Sequence, residues 1–261
     1  MAAQISTEAV KSRPKTQKKR LDVLLVERGL AESRQRAQGL ILAGHVLVNG
    51  QKQDKAGAQV ATDAGVEVTG GELRYASRGG LKLEGALEEF GISVAQKICL
   101  DIGASTGGFT DCLLQHGAQR VYAVDVNVKQ LAWKLQRDAR VVRVERNARK
   151  LHPDDLGEPV ELVAIDVSFI SVAKILRAVM AVAKPGADFV ILVKPQFELE
   201  RGDVGKGGIV RDPRLRERAV ERVKAAAAEA GLKIAGVRPS RLPGAEGNQE
   251  FFLHARREAL E

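Results

Sequence analysis

The sequence predicts an α/β fold. A seven-stranded, mostly parallel sheet takes up the larger part of the chain, and a small α+β domain precedes it. Three observations predict this. From residue 98 onward, short apolar runs alternate with helix-length segments, the pattern of a parallel sheet with crossover helices. A glycine-rich turn, Asp101 to Asp111 (DIGASTGGFTD), follows the first apolar run, Ile98-Cys99-Leu100, and leads into a helical segment. Residues 1–60 hold eleven Lys/Arg against five Asp/Glu, so most of the net charge of +8 sits in the N-terminal segment. At 261 residues the chain has room for one large and one small domain.

Residues 1–19 show no hydrophobic period and read as a disordered basic arm. Residues 20–72 read as the small domain. Leu21, Leu24, Leu25 and Val26 suggest a short amphipathic helix ending near Gly29. Ser33 caps a second helix, with Leu40, Ile41 and Leu42 as its buried end and Gly44 as its stop. His45 to Val48 reads as a strand, Asn49-Gly50 as a tight turn, and Val66 to Val68 as a weaker strand. Residues 73–78 read as a linker, more a spacer than a working part. Residues 79–261 form the larger domain. Its strands are expected at 98–101, 120–125, 141–145, 161–166, 188–194, 232–237 and 250–254, and its clearest helix runs from Leu215 to Ala230. No helix separates the last two strands, only the Gly/Pro-rich loop from Pro239 to Gly247, so they are expected to pair antiparallel.

The longest apolar runs are too short to span a membrane, and the N-terminus has no apolar signal core. Cys99 and Cys112 are expected to be buried thiols of a reducing cytoplasm. The four histidines show no ligand spacing, so no metal site is expected. The charge asymmetry points to a polyanion, most plausibly RNA or DNA.

Glycines 103, 107 and 108 are expected to let backbone approach a ligand closely. The spacing G-x-x-x-G-G fits neither the dinucleotide fingerprint nor the phosphate-loop motif. Asp101 at the head of the turn suits an amine-bearing cation, and Asp125 at the next strand end suits ribose hydroxyls. Together they form the pattern of an S-adenosylmethionine site, although the turn alone also fits a capping Asp in another α/β protein. At the fourth strand end, Asp166-Val167-Ser168-Phe169 contains neither the Pro-Pro of aminomethylating enzymes nor a cysteine nucleophile. Lys194 ends the fifth strand, Glu250 opens the last, and Lys82 lies just before the sheet. A Lys-Asp-Lys-Glu set suits methyl transfer to a ribose hydroxyl. An alcohol is a weak nucleophile and needs a base, and a lysine serves where a second lysine and a cationic cofactor make its proton easy to lose. Lys194 is the expected base. Lys82 would tune it and hold the ribose or phosphate, while Asp166 and Glu250 would orient the ammonium groups and the hydroxyl. A structural ion pair between Asp166 and Lys194 is the alternative.

Residues 20–72 resemble the S-four-type (alpha-L) RNA-binding module. The resemblance rests on Arg20-Leu21-Asp22, Ser33-Arg34, Arg36-Ala37 and Gly44 to Gly50. With SRGGLKL (77–83), the glycine turn, DVSFIS (166–171), LVKPQFE (192–198) and GKGGIVRD (205–212), residues 20–256 resemble the TlyA family. In that family an S-four-type module is fused to an FtsJ-like, Rossmann-like class I methyltransferase domain. The resemblance implies methyl transfer from S-adenosylmethionine to the 2′-hydroxyl of cytidine in ribosomal RNA, by a Lys82, Asp166, Lys194, Glu250 tetrad. The expected cofactor contacts are Asp101, Gly103, Ser105, Thr106, Gly107, Gly108, Phe109, Asp125, Asn147, Asp166 and Phe169. Phe169 would flank the cofactor or a flipped base. The expected RNA contacts are Arg20, Arg34, Arg36, Lys52 and Arg78. Glu145-Arg146-Asn147 lacks the threonine that the family commonly has between Arg and Asn. Two other readings are a non-catalytic ribosome-assembly factor and a haemolysin. The lack of spanning or strongly amphipathic segments argues against direct pore formation.

Overall fold

The computed structural model describes residues 17–31, 33–69, 74–244 and 247–258. The chain forms two compact units, residues 1–72 and 73–261.

The first unit contains β1 (Lys18–Arg20), α1 (Leu21–Glu27), α2 (Arg34–Leu42), β2 (Val46–Val48), β3 (Gln51–Gln53), β4 (Gln59–Ala61) and β5 (Val66–Val68). Strands β3, β2 and β5 form one antiparallel sheet, and β1 pairs with β4. The Ser33 hydroxyl accepts the Arg36 N–H at 3.1 Å and caps α2. At Asn49 (φ 51°) and Gly50 (φ 77°) both turn residues are left-handed, which fits a two-residue hairpin. Leu21, Leu24 and Leu25 pack on Ala37, Leu40 and Ile41 as a small core.

Two expectations are corrected here. Lys18 and Lys19 belong to β1 and not to a disordered arm, because their backbone is paired with β4; residues 1–16 lie outside the described residues. Leu42 is 70 % exposed. It falls one residue past the stripe set by Ala37, Leu40 and Ile41 and turns off the buried face.

The second unit contains α3 (Arg78–Phe90), β6 (Ile98–Ile102), α4 (Gly108–Gln115), β7 (Arg120–Asp125), α5 (Trp133–Gln136), β8 (Val141–Glu145), β9 (Val160–Ile165), α6 (Leu176–Val182), β10 (Ala183–Val193), α7 (Pro195–Glu198), α8 (Pro213–Glu229), β11 (Leu232–Pro239) and β12 (Phe251–Arg257). The sheet order is β11-β12-β10-β9-β6-β7-β8. Strands β6 to β10 are parallel, and β12 pairs antiparallel with both neighbours. The fifth strand of this sheet starts at Ala183, earlier than expected, with a register irregularity before Asp188. Alternate residues of β9 serve opposite faces. Val163 and Ile165 pack beneath α6 and α8, while Leu162 and Ala164 pack beneath α3 and α4. The result is three layers, with helices on both sides of the sheet. Cys99 and Cys112 are buried in this core, and burial pushes both thiols up to about 12.

The linker expectation also changes. Tyr75 is buried, its hydroxyl donates to Glu84, and its ring fills the space a Cβ on Gly80 would need. The Ala76 N–H donates to Asp111, and Gln115 donates to the Arg74 carbonyl. Residues 74–78 are therefore part of the second unit's fold.

Candidate active site

The carboxyl ends of β6, β7, β9 and β10 lie along one edge of the sheet. The strand order reverses between β6 and β9, which opens a crevice there. Asp101 sits in β6, fully buried. Its Oδ2 accepts the Thr110 N–H at 2.9 Å and the Thr110 hydroxyl at 2.6 Å. Its Oδ1 is buried and has no partner in the structure. Burial raises this carboxyl to about 7; the nearby charge of Asp166 adds to the effect and the Thr110 bonds oppose it. Asp125 ends β7. Its two oxygens accept the Ser105 and Asn127 N–H groups at 3.0 and 2.9 Å, which fixes its orientation.

The glycines of the turn do less for a ligand than their spacing suggests. At Gly103 (φ 86°) a Cβ would lie 2.2 Å from the Asp166 carbonyl. At Gly107 it would strike Leu135 and Leu131, and at Gly108 the Ser77 hydroxyl and the Gly80 backbone. Phe109 is buried and stacks on Phe252 at 6.3 Å. The side-chain space at Gly107 and Gly108 and the ring of Phe109 thus serve internal packing, and the close approach at Gly103 is to Asp166. Ser105 and Thr106 remain exposed. Asn147 is half-buried, and its side-chain oxygen accepts the Arg149 N–H. The Arg146 N–H donates to the Asp125 carbonyl, so this loop lies beside the second acid.

The four polar residues form two ion pairs. Lys82 Nζ donates to Glu250 at 2.6 Å, and both residues are buried. Lys194 Nζ lies 2.5 Å from Asp166 Oδ1, while its aligned hydrogen bond goes to the Ser168 hydroxyl at 3.0 Å. Val193 pairs with Phe251 in the antiparallel register. Lys194 follows Val193 and Glu250 precedes Phe251, so both ion pairs stem from the same end of this strand pair. Asp166 follows β9 directly and lies against Gly103, which joins the tetrad to the turn. Phe169 is 91 % exposed with φ 65°, so it is not a core aromatic. Its ring meets Phe197 at 5.2 Å.

Sequence reasoning passed over three residues here. Thr110 holds Asp101, Ser168 holds Lys194, and Glu198 ties the Phe169 loop to the loop after β10. All three lie inside motifs already singled out, so the signal available was polar side chains adjacent to the selected ones.

Residues 75–257 match the model of the FtsJ-like methyltransferase family. The chain belongs to the FtsJ-like methyltransferases. This FtsJ-like domain is preceded by an S4 domain, matched at residues 19–68. A 16S/23S rRNA (cytidine-2′-O)-methyltransferase TlyA of Mycobacterium tuberculosis is 52% identical over 239 residues, covering 91% of this chain and 89% of that protein. Hemolysin A of Brachyspira hyodysenteriae is 46% identical over 237 residues, covering 90% and 98%. A solved structure titled "Putative hemolysin from Streptococcus thermophilus" superposes with a TM-score of 0.73 at 44% identity, covering 94% of this chain and 90% of that one. The fold of this FtsJ-like member also superposes on solved structures at 16% and 19% identity, with TM-scores of 0.51 and 0.52.

In the N-terminal unit, Arg20 and Arg34 both bond to Asp22, which is fully buried. The Arg20 side chain holds that carboxyl well below the usual range, with help from Gln38 and Arg34 and against the effect of burial. Both guanidinium groups are about half exposed, so the pairing orients them at the surface. Lys52 is exposed, and Arg36 and Arg78 are half-buried. Arg78 stands in the first turn of α3 in the second unit, away in sequence from the other four. Among the described residues no helix is long and apolar enough to cross a membrane, and no acid, His or Cys cluster is arranged to hold a metal.

Proposed function

We propose that this protein transfers a methyl group from S-adenosylmethionine to the ribose 2′-hydroxyl of cytidine in ribosomal RNA. The observation that carries this reading is the pair of ion pairs, Lys194–Asp166 and Lys82–Glu250, set beside a turn whose acid keeps one buried oxygen unpartnered. The name of the relative in Mycobacterium tuberculosis agrees with it.

The residues fit the cofactor. Asp101 Oδ1 is a buried acceptor suited to an ammonium group, and Asp125, held by two backbone N–H groups, keeps lone pairs for ribose hydroxyls. Ser105, Thr106 and Asn147 would line the same crevice. S-adenosylmethionine supplies the electrophilic methyl carbon when bound. Lys194 takes the hydroxyl proton at Nζ. Asp166 then pairs with the ammonium so formed, and Ser168 fixes its direction. Lys82, held by Glu250, places a second cation against the ribose or its phosphate. Phe169 offers an exposed face to a base turned out of its stack.

Lys194→Ala should lower methyl transfer about 10²- to 10⁴-fold, the usual contribution of a general base, with cofactor affinity little changed. Mapping ribose methylation in ribosomal RNA with wild type, variant and no protein tests this. Full activity in the variant removes the base assignment, and no new methylation with wild type removes the function.

A further inference from the structure

Glu198 is a buried carboxylate that the mechanism above does not use, only 6 % exposed in α7. It accepts the Ser171 hydroxyl at 2.6 Å through one oxygen and the Val172 N–H at 2.8 Å through the other. Burial holds its carboxyl above the usual range, against the pull of both bonds. Burying a charged group is costly, and the Ser171 and Val172 hydrogen bonds, with the charge of Arg222, offset part of the cost here.

The loop so held runs from Asp166 to Ser171. It is joined to the segment after β10 at several points: Asp166 and Ser168 to Lys194, Phe169 to Phe197, and Ser171 to Glu198. At its centre Phe169 combines a strained backbone with an exposed apolar ring. Its φ of 65° is one that bulky residues rarely adopt, and its ring stands 91 % exposed. A left-handed non-glycine residue costs on the order of 1–3 kcal/mol and persists only where its surroundings impose it. Val167 and Ile170 pack against the core on either side, so the chain between them must bulge outward.

We propose that Ser171 and Glu198 are positioning residues, a polar staple that keeps Phe169 turned outward as the platform for a base of the substrate RNA. The proposal rests on the RNA-methyltransferase reading and gives Ser171 and Glu198 a part in which neither side chain itself touches cofactor or RNA. Without the staple, the strained loop relaxes and the ring folds down onto neighbouring apolar surface. RNA binding then suffers while the cofactor crevice stays intact.

The test is a double-mutant cycle in the full-length protein, with purified ribosomal RNA as the probe. Filter binding reads RNA affinity, calorimetry reads S-adenosylmethionine affinity, and methylation kinetics separate KM from kcat. Glu198→Ala and Phe169→Ala should each weaken RNA binding about ten-fold, in the range of one base–aromatic stacking interaction. In Glu198→Ala, cofactor affinity should hold within about two-fold. In the Phe169→Ala background, Glu198→Ala should add almost nothing, since it acts through that ring. Glu198→Gln, which keeps an acceptor for Val172 and a partner for Ser171, should recover most of the binding. Additive effects in the double variant, an equal fall in cofactor affinity, or no effect of Phe169→Ala on RNA would each overturn the staple. If Glu198→Ala does not fold, Ser171→Ala completes the same cycle. Wild type that binds RNA without methylating it would remove the proposed function, while the affinity cycle still decides the staple.

Discussion

Asp101 is fully buried, with one oxygen bonded to Thr110 and the other without a partner. Its folded pKa of about 7 lies above the usual carboxylate value of 3.8. The folded state therefore holds this proton more tightly than the unfolded chain does. The stability it contributes is complete below about pH 4 and is lost as pH rises through about 7. A bound ammonium needs the carboxylate, so cofactor affinity should weaken as pH falls below about 7. Asp101→Asn should flatten both profiles and weaken cofactor binding, as calorimetry and thermal unfolding across pH 4–8 would show.

The two ion pairs call for different expectations. The side chains of Lys82 and Glu250 are 10% and 3% exposed, and those of Lys194 and Asp166 are 13% and 23%. Removing Glu250 strands a buried ammonium, which costs on the order of 3–5 kcal/mol. Glu250→Ala should therefore lose stability as well as activity. A normal melting curve in that variant would mean that Lys82 finds another partner.

At the scale of elements, the crevice is held open by close packing as much as by the glycine spacing. Gly103 lets β6 turn directly over the Asp166 carbonyl, with φ 86° and no room for a Cβ. Gly103→Ala should destabilise the protein by about 1–3 kcal/mol, through strain at a left-handed position and displacement of the Asp166 backbone. It should also lower kcat, because Asp166 and its Lys194 partner shift together. A variant with reduced melting temperature and unchanged kcat would show that the turn moves without the tetrad. The strands themselves were legible because alternate apolar residues feed two cores, as in β9. The start of β10 was not, because Pro185 and Gly186 read as a loop yet sit within the strand. Nor was the role of Tyr75. A polar-flanked tyrosine beside a domain boundary reads as a spacer until α3 is seen to need its ring over Gly80.

For the whole molecule, charge is partitioned more sharply than chemistry. Residues 1–60 carry a net +6 of the total +8. Part of that charge is structural, since Arg20 and Arg34 also anchor the buried Asp22. Deleting residues 1–72 should weaken RNA binding and make the dependence of log affinity on log salt shallower, by about 0.7–0.9 for every phosphate that the unit neutralises. A titration series in salt measures it, and an unchanged slope would remove the unit from RNA binding.

The sequence by itself determined the fold class and the two-part organisation, and it singled out Asp166, Lys194 and Glu250 beside strand ends with Lys82 ahead of the sheet. Hydrophobic period, turn glycines and polar residues beside apolar runs are local properties, written within a few residues of where they act. Only the tertiary structure decided which partner each residue has. Gly107, Gly108 and Phe109 turned inward to the core, Phe169 turned outward, and Glu198 came to hold a loop 27 residues away. Those outcomes depend on which strands lie side by side, and sheet order joins segments that no local pattern connects.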